Sequence, residues 1–202
     1  IIVKKGTFDN YSSSSSSSTL HDDLMSREKS LEIILNNLPP NSIIVSTTGK
    51  ISREIFEIRE KKGESHKQDF LTVGSMGHCS SIALGIAIAI PDRMVFCIDG
   101  DGSLIMHMGS LSVIGKLKPK NFYHFVMNNL VHDSVGGQET SARVVDFSAL
   151  IKANAYKNIF FAKKQDDLKL RIKEMIYKEG PSCMEVLIKP GSRDDLGRPT
   201  IK

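Results

Sequence analysis

The chain predicts a three-layer α/β fold, a mainly parallel six-stranded sheet with helices on both faces. Two patterns predict it. Short apolar runs alternate with stretches whose apolar residues recur at helical spacing, and that alternation implies βα units building a parallel sheet. Polar and small residues then follow the apolar runs directly, where an open α/β sheet collects its ligands outside the carboxyl ends of the strands.

In chain order, Leu31, Ile34, Leu35 and Leu38 recur at helical spacing from Ser26 onward, and Pro39-Pro40 ends that helix ahead of the buried strand Ile43-Ile44-Val45. A helix near Ile51 to Lys61, a strand at Phe70 to Val73, a small-residue helix from about Gly77 to Ile90 and a strand at Met94 to Ile98 continue the pattern. It is completed by a helix at Met106 to Lys116, a strand at Phe122 to Met127, a helix at Phe147 to Ala153, a strand at Ile159 to Ala162, a helix at Asp166 to Lys178 and a strand at Cys183 to Ile188. Ahead of all this, Ser12 to Ser18 form an unbroken serine run that buries no apolar surface and reads as a tether. Residues 1–25 are therefore expected to be the end of a preceding domain plus a linker, and residues 26–202 the folded domain, with the chain as a whole a fragment or a processed half.

Composition limits the function classes. The 202 residues hold 27 basic and 23 acidic side chains, a net charge of +4 scattered in short pairs such as Lys61-Lys62, which is a solvated surface and no nucleic-acid stripe. The longest apolar run, Ile82 to Ile90, is too short to span a bilayer, so no membrane partner is expected. Three cysteines, Cys79, Cys97 and Cys183, lie far apart in sequence, and an odd, unclustered set predicts reduced thiols in the cytoplasm. No Gly-x-Gly-x-x-Gly opens a helix after a first strand, which argues against a nicotinamide dehydrogenase.

The residues that carry chemistry follow the strands. Asp101 stands between Gly100 and Gly102 after Cys97-Ile98, so a tight turn is expected to aim a carboxylate and two unobstructed amides at one point. Mg²⁺ asks for a few protein oxygens and takes the rest of its octahedron from phosphate and water. Asp101, the side-chain oxygen of Asn129 and one loop carbonyl would serve. The next strand delivers Asn128-Asn129, with 25 residues between Gly102 and Asn128, so the two loops can meet across neighbouring strands.

That combination resembles the diphosphate-binding domain of the thiamine-diphosphate-dependent decarboxylases, whose fingerprint is Gly-Asp-Gly, about two dozen residues, then Asn-Asn. The resemblance implies the thiamine diphosphate-binding fold, with thiamine diphosphate and Mg²⁺ as cofactors. It assigns the metal to Asp101, Asn129 and the carbonyl of Val131, and the diphosphate to Gly102 and Ser103, beside Gly100. Gly74-Ser75-Met76-Gly77 resembles the family's wedge segment: Met76 would bend the cofactor and the Gly74 carbonyl would accept from its aminopyrimidine. Thr47-Thr48-Gly49 resembles the diphosphate-facing loop, although Ser/Thr-Gly is also a common turn. The loop from Asn128 to Thr140 is expected to close over the diphosphate, with Asp133 and Ser134 as cofactor contacts and Gly136-Gly137 offering amides to an anion. Leu130 departs from the family pattern, where a small residue is common.

His78 and His132 fall in the expected cofactor loops, where proton transfer or phosphonate binding competes with loop packing; His107 is expected in a helix. Segments such as His132 to Gln138 resemble most the family members that decarboxylate 3-phosphonopyruvate, with those acting on sulfopyruvate as near relatives. The implied reaction is nonoxidative decarboxylation of a small 2-oxo acid to phosphonoacetaldehyde and CO₂. The family's activating glutamate lies on a pyrimidine-binding domain that nothing in this chain resembles. The expected partner is such a domain, upstream or on a second subunit, in a homo- or hetero-oligomer. A noncatalytic module that keeps the fold is the alternative.

Overall fold

The computed structural model describes residues 2–4, 6–7 and 23–197. The serine run, most of the segment before it and Arg198-Pro199 lie outside the described residues.

Six strands form one sheet: β1 (Ile43–Ser46), β2 (Asp69–Leu71), β3 (Val95–Gly100), β4 (Phe122–Asn128), β5 (Asn158–Ala162) and β6 (Ser182–Leu187). Their order is β2-β1-β3-β4-β6-β5, and all five pairings are parallel. The helices are α1 (Arg27–Asn37), α2 (Lys50–Lys62), α3 (Cys79–Ala89), α4 (Asp101–Met106), α5 (Gly109–Leu117), α6 (Phe147–Ala153) and α7 (Gln165–Ile176), with a short 3₁₀ turn at Ser141–Val144.

Alternation along the central strands sorts the core into two slabs. Phe96 and Ile98 of β3 and Tyr123, Phe125 and Met127 of β4 face Leu31 and Ile34 of α1, Ile55 of α2 and Ile172 of α7. Val95 and Cys97, with Phe122 and Val126, face Ala83 of α3, Leu104 of α4, Ile114 of α5 and Ile151 of α6. Each fully buried Ile, Leu or Phe contributes about 1.5–3 kcal/mol, so a slab on each side is what keeps a sheet of this kind covered. Local signals set the helix ends: the Ser26 hydroxyl accepts from the Lys29 amide at the start of α1, the Asp146 carboxylate accepts from Ala149 at the start of α6, and Gly63 ends α2 in the left-handed conformation at φ 64°.

Three expectations change. The stretch expected as one helix from Met106 is two, because α4 starts at Asp101 itself and α5 restarts at Gly109; His107 sits in the break. Gly100 and Gly102 do not take positive φ: Gly100 is extended and Gly102 is helical. The three cysteines are free and buried, but they are not dispersed: Cys79 and Cys97 bring their sulfurs within 3.8 Å. No described helix is long and apolar enough to cross a membrane.

Candidate active site

After β1 the chain turns outward to β2 and then returns on the other side to β3, so the strand order reverses between β1 and β3. A crevice opens at the carboxyl ends of the strands on either side of such a reversal. Here Thr47, just past β1, donates its amide to Ile98 O of β3 at 2.9 Å, and Gly100-Asp101 lie beside it. A cleft of about 290 Å³ occupies this place. Thr47, Thr48, Gly49 and Met76 line one side of it, and Gly100, Asp101, Gly102 and Ser103 form its floor. Asn129, Val131, His132, Asp133 and Ser134 close the other side. Gly74, Ser75 and His78 do not line it.

Asp101 is 2% exposed. Burial pushes its carboxyl above the usual aspartate range, against the pull of the Thr140 hydroxyl at 2.5 Å and of the Gly102, Asp101 and Asn129 amides. These donors are all neutral, and among the described residues Asp101 forms no ion pair. A buried carboxylate supplied only with neutral donors is the environment a cation completes. Two further oxygens are available there. Val131 pairs with Glu139 in an antiparallel bridge flanked by the bonds His132 N to Gln138 O and Thr140 N to Leu130 O, so its own amide and carbonyl point away from the partner strand. Among the described residues the Asn129 side-chain oxygen accepts only the Val131 amide, at 3.3 Å, leaving a lone pair. Three hard oxygen donors in one cleft suit Mg²⁺.

Ser103 Oγ accepts from Thr47 Oγ1 at 2.9 Å and from the Gly77 amide at 3.1 Å. With both lone pairs used, its proton remains to be donated. Gly102 earns its place by proximity: a Cβ there would lie 2.6 Å from the His132 ring. Gly49 combines both constraints, with φ 104° and a Cβ position 2.6 Å from Ser134 Oγ. The Gly74 to Gly77 loop takes positive φ at Gly74, Ser75 and Gly77, and the non-glycine Ser75 at φ 50° marks a strained turn that presents Met76 to the cleft. The Gly74 amide donates to Thr48 Oγ1 at 2.9 Å, tying this loop to the one after β1.

Other expected contacts are engaged elsewhere. Asn128 donates to Glu185 at 2.7 Å, a structural use of the first Asn of the pair. Gly137 gives its amide to His132 O, so it closes its own loop and leaves no amide pair for an anion. His78 packs against His107 with ring centroids 4.2 Å apart and the rings tilted by 52°, outside the cleft. Leu130 adopts φ 64°, a conformation costly for a branched side chain, where a small residue is common in the family pattern.

Sequence reasoning missed Arg27, Lys50 and Arg53, all of which line the cleft. It also missed what lies beneath: Asp99, fully buried, takes the Gly100 amide at 2.8 Å and stands 3.4 Å from His124 Nε2, whose other nitrogen is 3.3 Å from the Tyr156 hydroxyl.

Residues 47–186 match the thiamine pyrophosphate enzyme, C-terminal TPP binding domain family. The chain is 39% identical over 175 residues to phosphonopyruvate decarboxylase of Streptomyces viridochromogenes, covering 87% of this chain and 43% of that protein. It is 36% identical over 144 residues to the sulfopyruvate decarboxylase subunit beta of Methanococcus maripaludis, covering 70% of this chain and 75% of that subunit. The chain thus spans less than half the length of the phosphonopyruvate decarboxylases it matches. A solved structure from Mycobacterium smegmatis, described as a thiamin diphosphate-dependent enzyme, superposes with a TM-score of 0.68 at 20% identity over 83% of this chain and 32% of that one, a likeness of fold. With the cleft, its oxygen donors and these matches together, the chain belongs to the thiamine pyrophosphate enzymes as their C-terminal domain, which binds thiamine diphosphate with Mg²⁺ as its metal.

Proposed function

We propose that this chain supplies the diphosphate and Mg²⁺ half of the active site of a nonoxidative 2-oxo acid decarboxylase, with 3-phosphonopyruvate as substrate and phosphonoacetaldehyde and CO₂ as products. The observation that carries the reading is the convergence of Asp101, Asn129 and Val131 on one cleft at the strand-order reversal. Asp101, the Asn129 oxygen and the Val131 carbonyl would hold the metal, and Ser103 would donate its hydroxyl proton to a diphosphate oxygen. Thiamine diphosphate, when bound, supplies the electron sink that lets the bond between C1 and C2 of a 2-oxo acid break with loss of CO₂.

The chain's own residues bind, orient and exclude water. Met76, Ile51, Met127 and Val131 give the cleft apolar walls. The α2 N-terminus also faces it, with no side-chain cap on its amides, and is joined by Lys50 and Arg53, which form no ion pair among the described residues. Such a positive edge favours a substrate with a second anionic group over plain pyruvate. His132, packed over Gly102 in the cleft, is the proton-transfer residue of this reading; His78, outside the cleft, is not.

The missing half is a pyrimidine-binding domain, upstream in the same polypeptide or on a second subunit. A helix apolar all round belongs in an interior. α3 carries no charged residue, yet Ile88 is 56% exposed, and on the neighbouring α5 Val113 and Leu117 are exposed with Met106 and Met108 close by. This apolar surface fits docking of that domain. The free buried thiols suit the cytoplasm.

A second reading, the diphosphate-binding subunit of a sulfopyruvate decarboxylase, is favoured by one observation: the chain covers 75% and 86% of two proteins named as sulfopyruvate decarboxylase beta subunits. Mixing the chain with a pyrimidine-binding partner and measuring CO₂ release from phosphonopyruvate, sulfopyruvate and pyruvate tests both. Preference for phosphonopyruvate is expected, and the chain alone should turn over none. Preference for sulfopyruvate supports the second reading. Turnover of no 2-oxo acid by the mixture would leave a noncatalytic binding module.

A further inference from the structure

Arg27 opens α1 and is 3% exposed, a burial that a guanidinium tolerates only when it is fully paired. Its Nε and Nη2 grip both oxygens of Glu54 at 2.8 and 2.9 Å, and its Nη1 donates to Asp133 Oδ2 at 2.7 Å. The Gly191 amide approaches both Asp133 oxygens at 3.2 Å, and the Gly191 carbonyl accepts from Arg27 at 3.3 Å. Burial alone would lower the Arg27 pKa, but Glu54 and Asp133 hold it above its ordinary value, so the cation stays in place. Asp133 Oδ2 has one more donor: the Asn129 amide nitrogen, at 2.8 Å.

An ionised carboxylate only accepts, so the end of Asn129 that faces Asp133 must be its NH₂. The amide oxygen is thereby turned the opposite way, towards the Val131 amide, in a residue that lines the cleft. Without Asp133 the amide could rotate by half a turn and offer its NH₂ group where the metal requires an oxygen. Arg27 in turn holds Asp133 in place and occupies its Oδ2, so that this carboxylate does not itself become a ligand. We propose that Asp133 and Arg27 are positioning residues that set the orientation of the Asn129 amide for metal binding. The proposal rests on the reading of Asp101, Asn129 and Val131 as the Mg²⁺ site. It adds a positioning role to the expected contact of Asp133 with the cofactor, since Asp133 also lines the cleft.

The test is calorimetric titration of Mg²⁺ into the chain with thiamine diphosphate present, for the unchanged chain, Asp133→Asn and Arg27→Lys. Asp133→Asn keeps the shape of the side chain but adds a donor, so it no longer dictates which way Asn129 faces. Residues that orient ligands from behind change metal affinity by about 10–100-fold when replaced. The expected result is a rise of that size in the apparent Mg²⁺ dissociation constant of Asp133→Asn, a smaller rise in Arg27→Lys, which keeps the charge and loses the fork, and recovery of thiamine diphosphate affinity in both at saturating Mg²⁺. Recovery by metal is the signature a merely structural role lacks. Unchanged Mg²⁺ affinity in Asp133→Asn, or a cofactor loss that excess Mg²⁺ does not repair, would overturn the inference. Absence of any Mg²⁺-dependent uptake by the unchanged chain would instead defeat the underlying reading of the site, and the inference with it.

Discussion

The two helical layers that cover the sheet are finished in opposite ways. In the layer of α1, α2 and α7, the 13-residue α2 carries eight charged side chains, and Arg27, Glu54, Glu57 and Arg193 lace that layer to the chain's last described segment. In the layer of α3 to α6, the 11-residue α3 carries none, and large apolar side chains stand in solvent. The first layer is finished mainly with ion pairs, although Leu170 of α7 is exposed; the second presents the apolar surface proposed above as a docking face. The cleft lies where they meet, taking Gly49 and Lys50 from the first and Asp101 to Ser103 from the second. On the proposed reading, that border position lets this domain hold the cofactor's anionic end while a second domain completes the site.

The comparison can be broken most forcefully in the first layer. Arg27→Met leaves the buried Glu54 and the half-buried Asp133 without their cation, a loss that costs about 3–5 kcal/mol. Thermal unfolding should show it as a drop of roughly 6–20 °C, given about 2–4 °C per kcal/mol in a domain of this size. At the border, Gly102→Ala forces a Cβ against the His132 ring and should cost about 1–3 kcal/mol by overpacking, together with weaker cofactor uptake by calorimetry. In the second layer, Ile88→Lys on the exposed face of α3 should stay within about 0.5 kcal/mol in stability, as surface changes do. The same variant should lose association with a pyrimidine-binding domain, read by analytical ultracentrifugation of the mixture.

The smallest effect concerns Glu185, whose carboxyl burial pushes above the usual glutamate range while Asn128 pulls it back. A raised carboxyl pKa gives stability that is full below the unfolded value and is lost as pH rises through the folded one. Glu185→Gln should therefore raise Tm at neutral pH, by less than about 4 °C, and this gain should vanish in acid below the unfolded glutamate pKa. A gain that persists unchanged into acid would contradict the burial argument.

The sheet was legible because each strand is a short apolar run and each is followed by polar or small residues, which puts Asp101 and Asn129 at strand ends from the sequence alone. The helix starting at Asp101 was not legible, since two glycines around one carboxylate look like a turn. Only the structure shows that Gly102 is there to admit His132. Arg27 was invisible for another reason. At the start of an amphipathic helix it looks solvated, and its partners lie 27 and 106 residues away, a distance no local pattern spans. The same holds for Cys79 and Cys97, dispersed in sequence and adjacent across α3 and β3.

The central claim is that Asp101 anchors the metal through which this domain takes up thiamine diphosphate. Its most direct test is calorimetry of thiamine diphosphate binding with and without Mg²⁺, for the unchanged chain and for Asp101→Ala. Binding by the unchanged chain should require Mg²⁺, and the variant should lose more than the roughly 100-fold expected for a residue behind the ligands. Equal binding with and without the metal, or a variant that binds as the unchanged chain does, would contradict the claim.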